Sequence, residues 1–155
     1  MRILSAVGAM GAGAVVVMAG AGPVRALAPE ADLAYHGSVA MAAGRFDLRL
    51  VPQNHGPNEV SGATVRLRWS APLADRQRLP GGCVRSDVRS VVCRTGELPA
   101  DGLGAPIALT VRLRGVPTEA ALTIDTVWGG GAVDRNHAND RQRVLALDTG
   151  DSYAF

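Results

Sequence analysis

Hydrolytic or acyl-transfer chemistry needs a nucleophile, a base and an orienting group within reach of one another. The candidates for those roles are thinly spread. His36, His55 and His137 fall in three separate regions, each beside a turn or a chain edge. There is no G-x-S-x-G nucleophile elbow and no H-E-x-x-H zinc pair. The residues therefore read as a non-enzymatic chain with no catalytic residue and no cofactor, its histidines ordinary loop residues. Asp134, Asn136, Asn139 and Asp140, with Asp125 upstream, are hard oxygen donors of the kind Ca²⁺ takes. The run lacks the Gly and the bidentate Glu of an EF-hand loop, and Asp and Asn also stabilise turns by bonding their own backbone. A capped connection between the last two strands is the expectation, with no metal ligand assigned and calcium as the rival reading.

The remaining polar chemistry belongs to guanidinium and indole groups. Arg49, Arg66, Arg68, Arg112 and Arg114 recur at period two on the outward sides of strand-like segments. Guanidinium planes take carboxylate or phosphate bidentately, which makes an acidic cell-wall polymer a conceivable partner. The competing reading is that these charges protect exposed sheet faces from aggregation. Trp69 lies on the apolar side of its segment and reads as core. Trp128, beside Gly129-Gly130-Gly131, reads as partly exposed. Arg112, Arg114 and Trp128 are accordingly the candidate binding residues. Asn54-His55-Gly56-Pro57-Asn58 has the composition of a strand connection rather than of a recognition loop.

What must position these groups is a set of strands. Phe46, Leu48 and Leu50 alternate with Asp47 and Arg49; Val65, Leu67 and Trp69 alternate with Arg66 and Arg68; the segment Ile107 to Arg114 repeats the pattern. Each has one apolar and one polar face, as in antiparallel sheets. Shorter strands are expected over 32–36, 120–128 and 143–147. The alternation at Leu122-Thr123-Ile124-Asp125 loses phase at Val127-Trp128, which predicts a bulge or a strand buried on both faces. Pro- and Gly-rich breaks separate the segments, and no stretch carries a helical apolar stripe. About seven short strands make an all-β protein, an antiparallel β-sandwich.

Cys83 and Cys93 lie ten positions apart and are the only cysteines. In an oxidising compartment an even pair implies a disulfide, here stapling two short strands across a turn in 84–92. That the compartment is oxidising follows from the start of the chain. After Met1-Arg2, an apolar run reaches Ala21 and is followed by Gly22-Pro23-Val24-Arg25-Ala26-Leu27-Ala28-Pro29. A cationic n-region, an apolar h-region and a small-residue cut zone define a signal peptide over 1–28. Cleavage after Ala28 and cleavage after Ala26 both fit the small-residue pattern. A retained apolar anchor is the alternative to cleavage.

The 155 residues suffice for one domain, with 16 basic residues, all of them Arg. Removing the leader takes away Arg2 and Arg25 and leaves 14 Arg against 14 Asp and Glu. A neutral mature chain offers no electrostatic case for nucleic acid or an anionic membrane; membrane contact is expected only in transit. No Cys for lipid attachment and no Leu-Pro-x-Thr-Gly sorting signal is present, so release or loose surface retention is expected.

The string Asn54-His55-Gly56-Pro57-Asn58-Glu59-Val60-Ser61-Gly62-Ala63-Thr64-Val65 resembles the N-x-G-P…G-x-x-V stretch of a family of bacterial extracellular Ig-like repeats. The family is known as the domain of unknown function numbered eleven and is related to the CARDB adhesion repeats. Cys83, then Val92-Cys93 with Gly96, Leu98 and Gly102, and finally Asp134-Arg135-Asn136-His137-Ala138-Asn139-Asp140 follow in the family's order; Asp140 stands where the family's closing motif has Asn. The resemblance covers about residues 31 to 148, in a single copy rather than a tandem array. It implies an extracellular Ig-like sandwich over 29–148, with 149–155 as a C-terminal tail, and no catalytic residue. In such an order Arg49 shares a sheet with Arg112 and Arg114, and Arg66 and Arg68 lie on the other. The function expected is a secreted binding or structural module with an extracellular protein or cell-wall polymer as partner. A small secreted ligand carrier or protease inhibitor is the alternative.

Overall fold

The computed structural model describes residues 26–155. The apolar run of the expected signal peptide therefore lies outside the described residues, while Ala26 to Pro29 run exposed and without regular structure. Twelve strands follow: β1 Glu30–Ala31, β2 Leu33–Ala42, β3 Arg45–Asn54, β4 Thr64–Trp69, β5 Cys83–Arg85, β6 Ser90–Arg94, β7 Gly102–Leu103, β8 Ile107–Arg112, β9 Glu119–Trp128, β10 Val133–Asp134, β11 Arg141–Leu147 and β12 Ser152–Ala154. Seven of them, β2, β3, β4, β6, β8, β9 and β11, have five residues or more. The short ones are edge and connector pairings too brief to show an alternation.

One sheet has the order β12-β2-β3, with β8 and then β7 along the far side of β3; the other runs β11-β9-β4-β6-β5. All pairings within both sheets are antiparallel. The chain passes between sheets from β3 to β4, back from β6 to β7 and β8, across again from β8 to β9, and back from β11 to β12. That Greek-key order is the Ig-like sandwich. Its core is built from the alternations already visible in the sequence: Phe46, Leu48 and Leu50 of β3, Val65, Leu67 and Trp69 of β4, and Ile107, Leu109 and Val111 of β8 are all buried. Trp69 meets Phe46 edge to face across the sandwich, with centroids 6.0 Å apart.

The tail expected over 149–155 is not a tail. Ser152–Ala154 pair with β2, and Gly37 and Phe155 exchange both backbone hydrogen bonds at 3.1 Å. Tyr153 and Phe155 pack against the core. The physical reason is the open edge of β2, whose N–H and C=O groups take the nearest extended segment. β2 itself runs on to Ala42, well past the expected end at His36. Only Val39 and Met41 mark its buried side beyond Gly37. It turns into β3 through Ala43 (φ 51°) and Gly44 (φ 73°), a two-residue hairpin with both central residues left-handed, as a type I′ turn requires.

Cys83 and Cys93 sit directly opposite each other in β5 and β6 and form the disulfide, with Cα atoms 4.1 Å apart. In the turn between these strands, Asp87 accepts from the Arg89 N–H, and that bond holds its carboxyl below the usual carboxylate range. In β9 the loss of phase is a bulge: Val65 opposes Thr126 while Thr64 opposes Trp128, leaving Val127 as the extra residue.

Candidate binding face

The motifs that carry the family resemblance converge at one end of the sandwich, where they hold the fold together. Asn54 is fully buried; its Oδ1 accepts from the N–H groups of Asp32 and Gly56, and its Nδ2 donates to the carbonyls of Asn58 and Leu98. Gly56 passes so close to Ala31 that a Cβ would lie 2.4 Å from the Ala31 Cα, and no other residue fits there without a shift. On the far side, Asn136 and Asn139 donate to the Asp32 carboxylate, and Asp134 accepts from the N–H of Leu33 at 2.8 Å. Three of the side chains weighed as Ca²⁺ donors, Asp134, Asn136 and Asn139, thus clamp the β10–β11 connection onto the first strands, while Asp125 is bonded to Arg66. Asp140 accepts from His137 Nδ1 at 3.0 Å, and that bond together with the carboxylate charge raises the imidazole pKa. His36 lies in β2 and His55 in the β3–β4 loop, so the three histidines stay apart.

The register determines which arginines share a face. In the β11-β9-β4-β6-β5 sheet, Arg141, Asp125 and Arg66 form one row across three strands, and Arg143, Thr123 and Arg68 form the next. A third row, on the opposite side of the first, is Trp128, Thr64 and Arg94. Rows on one face repeat every second residue, about 7 Å, and the outer members of a row are two strand spacings, about 10 Å, apart. Arg66, Arg68, Arg94, Arg141 and Arg143 are all exposed. The acid among them is Asp125, 8% exposed, and both its oxygens are taken by Nε and Nη2 of Arg66. Glu119 lies two rows beyond Arg143, and Asp87 stands in the turn near Arg68. Among the described residues this face carries one ion pair, Arg66 with Asp125, and four further guanidinium groups.

The bulge brings Trp128 to this face. In an unbroken ladder Val127 would oppose Thr64, and Trp128 would turn inward opposite Ala63. With Val127 accommodated as an extra residue, both side chains face out, 53% and 51% exposed. Beyond the start of β11, the edge of β9 borders a notch of about 520 Å³ lined by Trp128, Arg141 and His137 together with three carboxylates, Asp125, Asp134 and Asp140. On the inner side of the same segment, Thr126 Oγ1 hydrogen-bonds the Tyr35 hydroxyl at 2.7 Å, and burial pushes the Tyr35 phenol up to about 12.

The other predicted residues lie elsewhere. Arg49 and Arg112 are on the opposite sheet, as the Ig-like order implies; Arg114 lies just past β8 and is paired with Asp75. Arg112 opposes Arg45 and shares with Arg76, Arg78 and Thr110 a cleft of about 490 Å³. Its backbone is held by Gln77, which accepts from the Arg112 N–H and donates to its carbonyl. Asp47 ties Arg45 and Thr110 into the floor of this sheet. Arg94, Arg141 and Arg143 were not singled out from the sequence. The signal for the last two was the same Arg-x-Arg period as at 66/68 and 112/114.

Fold and faces together define an all-β, disulfide-linked antiparallel sandwich with Ig-like strand order, in which both sheets carry arginines: Arg45, Arg49 and Arg112 with Arg76 and Arg78 beside them on one, and Arg66, Arg68, Arg94, Arg141 and Arg143 in register on the other. No family model matches the chain, and no curated protein matches it. Among the described residues, no helix is long and apolar enough to cross a membrane.

Proposed function

We propose that this chain is an exported, non-enzymatic Ig-like binding module, and that it binds an anionic polymer of the bacterial cell surface or its surroundings. The observation that carries the reading is the outer face of the β11-β9-β4-β6-β5 sheet, where five arginines stand in register around a single, largely buried acid. Guanidinium groups at regular spacing suit a chain of carboxylates or phosphates, since each takes a charged group through two parallel N–H bonds. Export is supported by the signal-peptide pattern, by the disulfide and by an exposed cut zone at Ala26 to Pro29. The resemblance to extracellular Ig-like repeats points the same way.

The test is retention on purified cell wall as salt is raised, with protein whose N-terminus has been sequenced and found to begin between Leu27 and Pro29. The native protein is expected to elute at moderate salt, and Arg141→Ser with Arg143→Ser at distinctly lower salt, because exposed charges are screened. Arg112→Ser with Arg114→Ser is expected to elute with the native protein. Equal retention of all three proteins would leave the arginines as solubilising residues and move the binding function to the loops.

A further inference from the structure

The five arginines explain attraction to polyanions in general; the indole beside them narrows the class. From the bulged register we infer that the ligand is an acidic polysaccharide, with Trp128 stacking on a sugar ring while the neighbouring arginines take its carboxylates. The inference rests on the proposed binding reading and goes one step further, from charge to chemical class.

A large exposed aromatic is costly to keep on a soluble surface, and here the backbone departs from its ladder to put one there. Trp128 stands in the row of Thr64 and Arg94, beside the row of Arg141, Asp125 and Arg66. Its ring is half exposed at the border of the notch that Arg141 lines with Asp125, Asp134 and Asp140, and the three carboxylates direct an acidic chain away from the notch and along the arginine rows on the other side of the ring. An indole face is electron-rich and meets the electropositive C–H face of a pyranose, while guanidinium groups meet charged substituents at the ring edge. Thr64, between Trp128 and Arg94, and Thr123, between Arg143 and Arg68, add hydroxyls that both donate and accept, as a neutral sugar hydroxyl requires. Because Asp125 is already bonded to Arg66, it holds that guanidinium in place and leaves the other arginines free for the ligand. A polyanion without rings would use the arginines and leave Trp128 idle.

The experiment measures binding of the full exported chain to polygalacturonate, which has rings and carboxylates, to inorganic polyphosphate, which has charge and no rings, and to single-stranded oligothymidylate. Calorimetric titration gives the affinity of the native protein and of every variant; in the native protein Trp128 fluorescence also reports the contact, because Trp69 is buried and contributes a constant background. The native protein is expected to bind polygalacturonate with a change in the exposed indole emission. Trp128→Ala is expected to lose about tenfold on polygalacturonate and to keep its polyphosphate affinity within twofold, with Trp128→Phe recovering most of the loss. Arg141→Ser with Arg143→Ser is expected to weaken both. Equal effects of Trp128→Ala on both polymers, or none on either, would overturn the polysaccharide assignment and leave the charge-based reading standing. Tighter binding to oligothymidylate than to polygalacturonate would overturn the assignment in favour of a nucleic-acid ligand. Failure of the folded native protein to bind any of the three would overturn the anionic-polymer reading itself.

Discussion

The phenol of Tyr35 sits where its ionised form has no place. It is enclosed by the core, bonded to Thr126 and surrounded at longer range by the negative charges of Asp140, Asp134 and Asp125, and its pKa is pushed up to about 12. An unfolded tyrosine ionises near pH 10. The stability this group contributes is therefore complete below about pH 10 and is lost as the pH rises through the folded value, at about 1.4 kcal/mol per pH unit. Urea midpoints measured from pH 8 to pH 12 should fall across the upper half of that range. Tyr35→Phe should start about 1 kcal/mol lower at pH 8, for the lost hydrogen bond, and show a flatter decline above pH 10. A decline equal to that of the native protein would assign the alkaline sensitivity to another group. Asn54 makes the complementary point about what single residues disclose. Its place in a Gly- and Pro-rich string marks a turn, and a turn follows it. Nothing in the string reveals that the side chain is fully buried with all its bonding capacity spent on backbone from three other segments. That role depends on long-range neighbours.

At the level of elements, the hairpin between β2 and β3 is the largest strand pairing in the molecule and the one least announced. Its turn is Ala43-Gly44, and alanine at φ 51° lacks the local hydrogen bond that lets Asn occupy this region at lower cost. Ala43→Asn should therefore stabilise the fold by roughly 0.5–1 kcal/mol, read as a rise in the urea midpoint at unchanged slope. No gain would mean that the turn strain is relieved elsewhere. The same turn explains what was legible. Where apolar and charged residues alternate, as in β3, β4 and β8, both strand and buried face follow from the sequence. The second half of β2 is Gly37-Ser38-Val39-Ala40-Met41-Ala42, which has small residues where a polar face would show, and β12 is too short to show any pattern. The lost phase in β9 was readable as an irregularity. Its outcome, Trp128 facing out beside Thr64, depends on the partner strand, because a bulge is defined by what opposes it. The arginine rows are hidden for the same reason: Arg143 and Arg68 are 75 residues apart in sequence and meet only through Thr123.

The described residues are electrically neutral, with 14 Arg and 14 acids, four arginines stand within 3.9 Å of an acid, and the remaining charges are unevenly spread. Glu30, Asp32, Glu59, Glu97, Asp101, Asp134 and Asp140 gather around the loops at one end, where the nearby guanidinium groups are Arg135, 3.9 Å from Glu30, and Arg141, in one notch with Asp134 and Asp140. Five arginines occupy the flank of the second sheet, and Arg45, Arg49, Arg76, Arg78 and Arg112 lie on or beside the first, so both flanks stand positive against that end. A body with no net charge and separated poles is a permanent electric dipole. Neighbouring copies then attract end to flank, with no net repulsion to hold them apart. The geometry is head-to-tail rather than twofold, so association of this kind does not close at a dimer. In solution the protein should behave as a salting-in colloid near neutral pH. Light scattering should rise as the buffer is diluted to a few millimolar salt and fall again at about 0.15 M, where the screening length shrinks to roughly 8 Å. Arg141→Ser with Arg143→Ser shortens the dipole while making the net charge negative, and should keep the dilute-salt solution clear. Turbidity of that variant equal to the native protein's would place the attraction in the apolar surface instead. An extended acidic glycan lying across the arginine flank, as proposed, would likewise quench the positive pole, so that binding it would also disperse the copies.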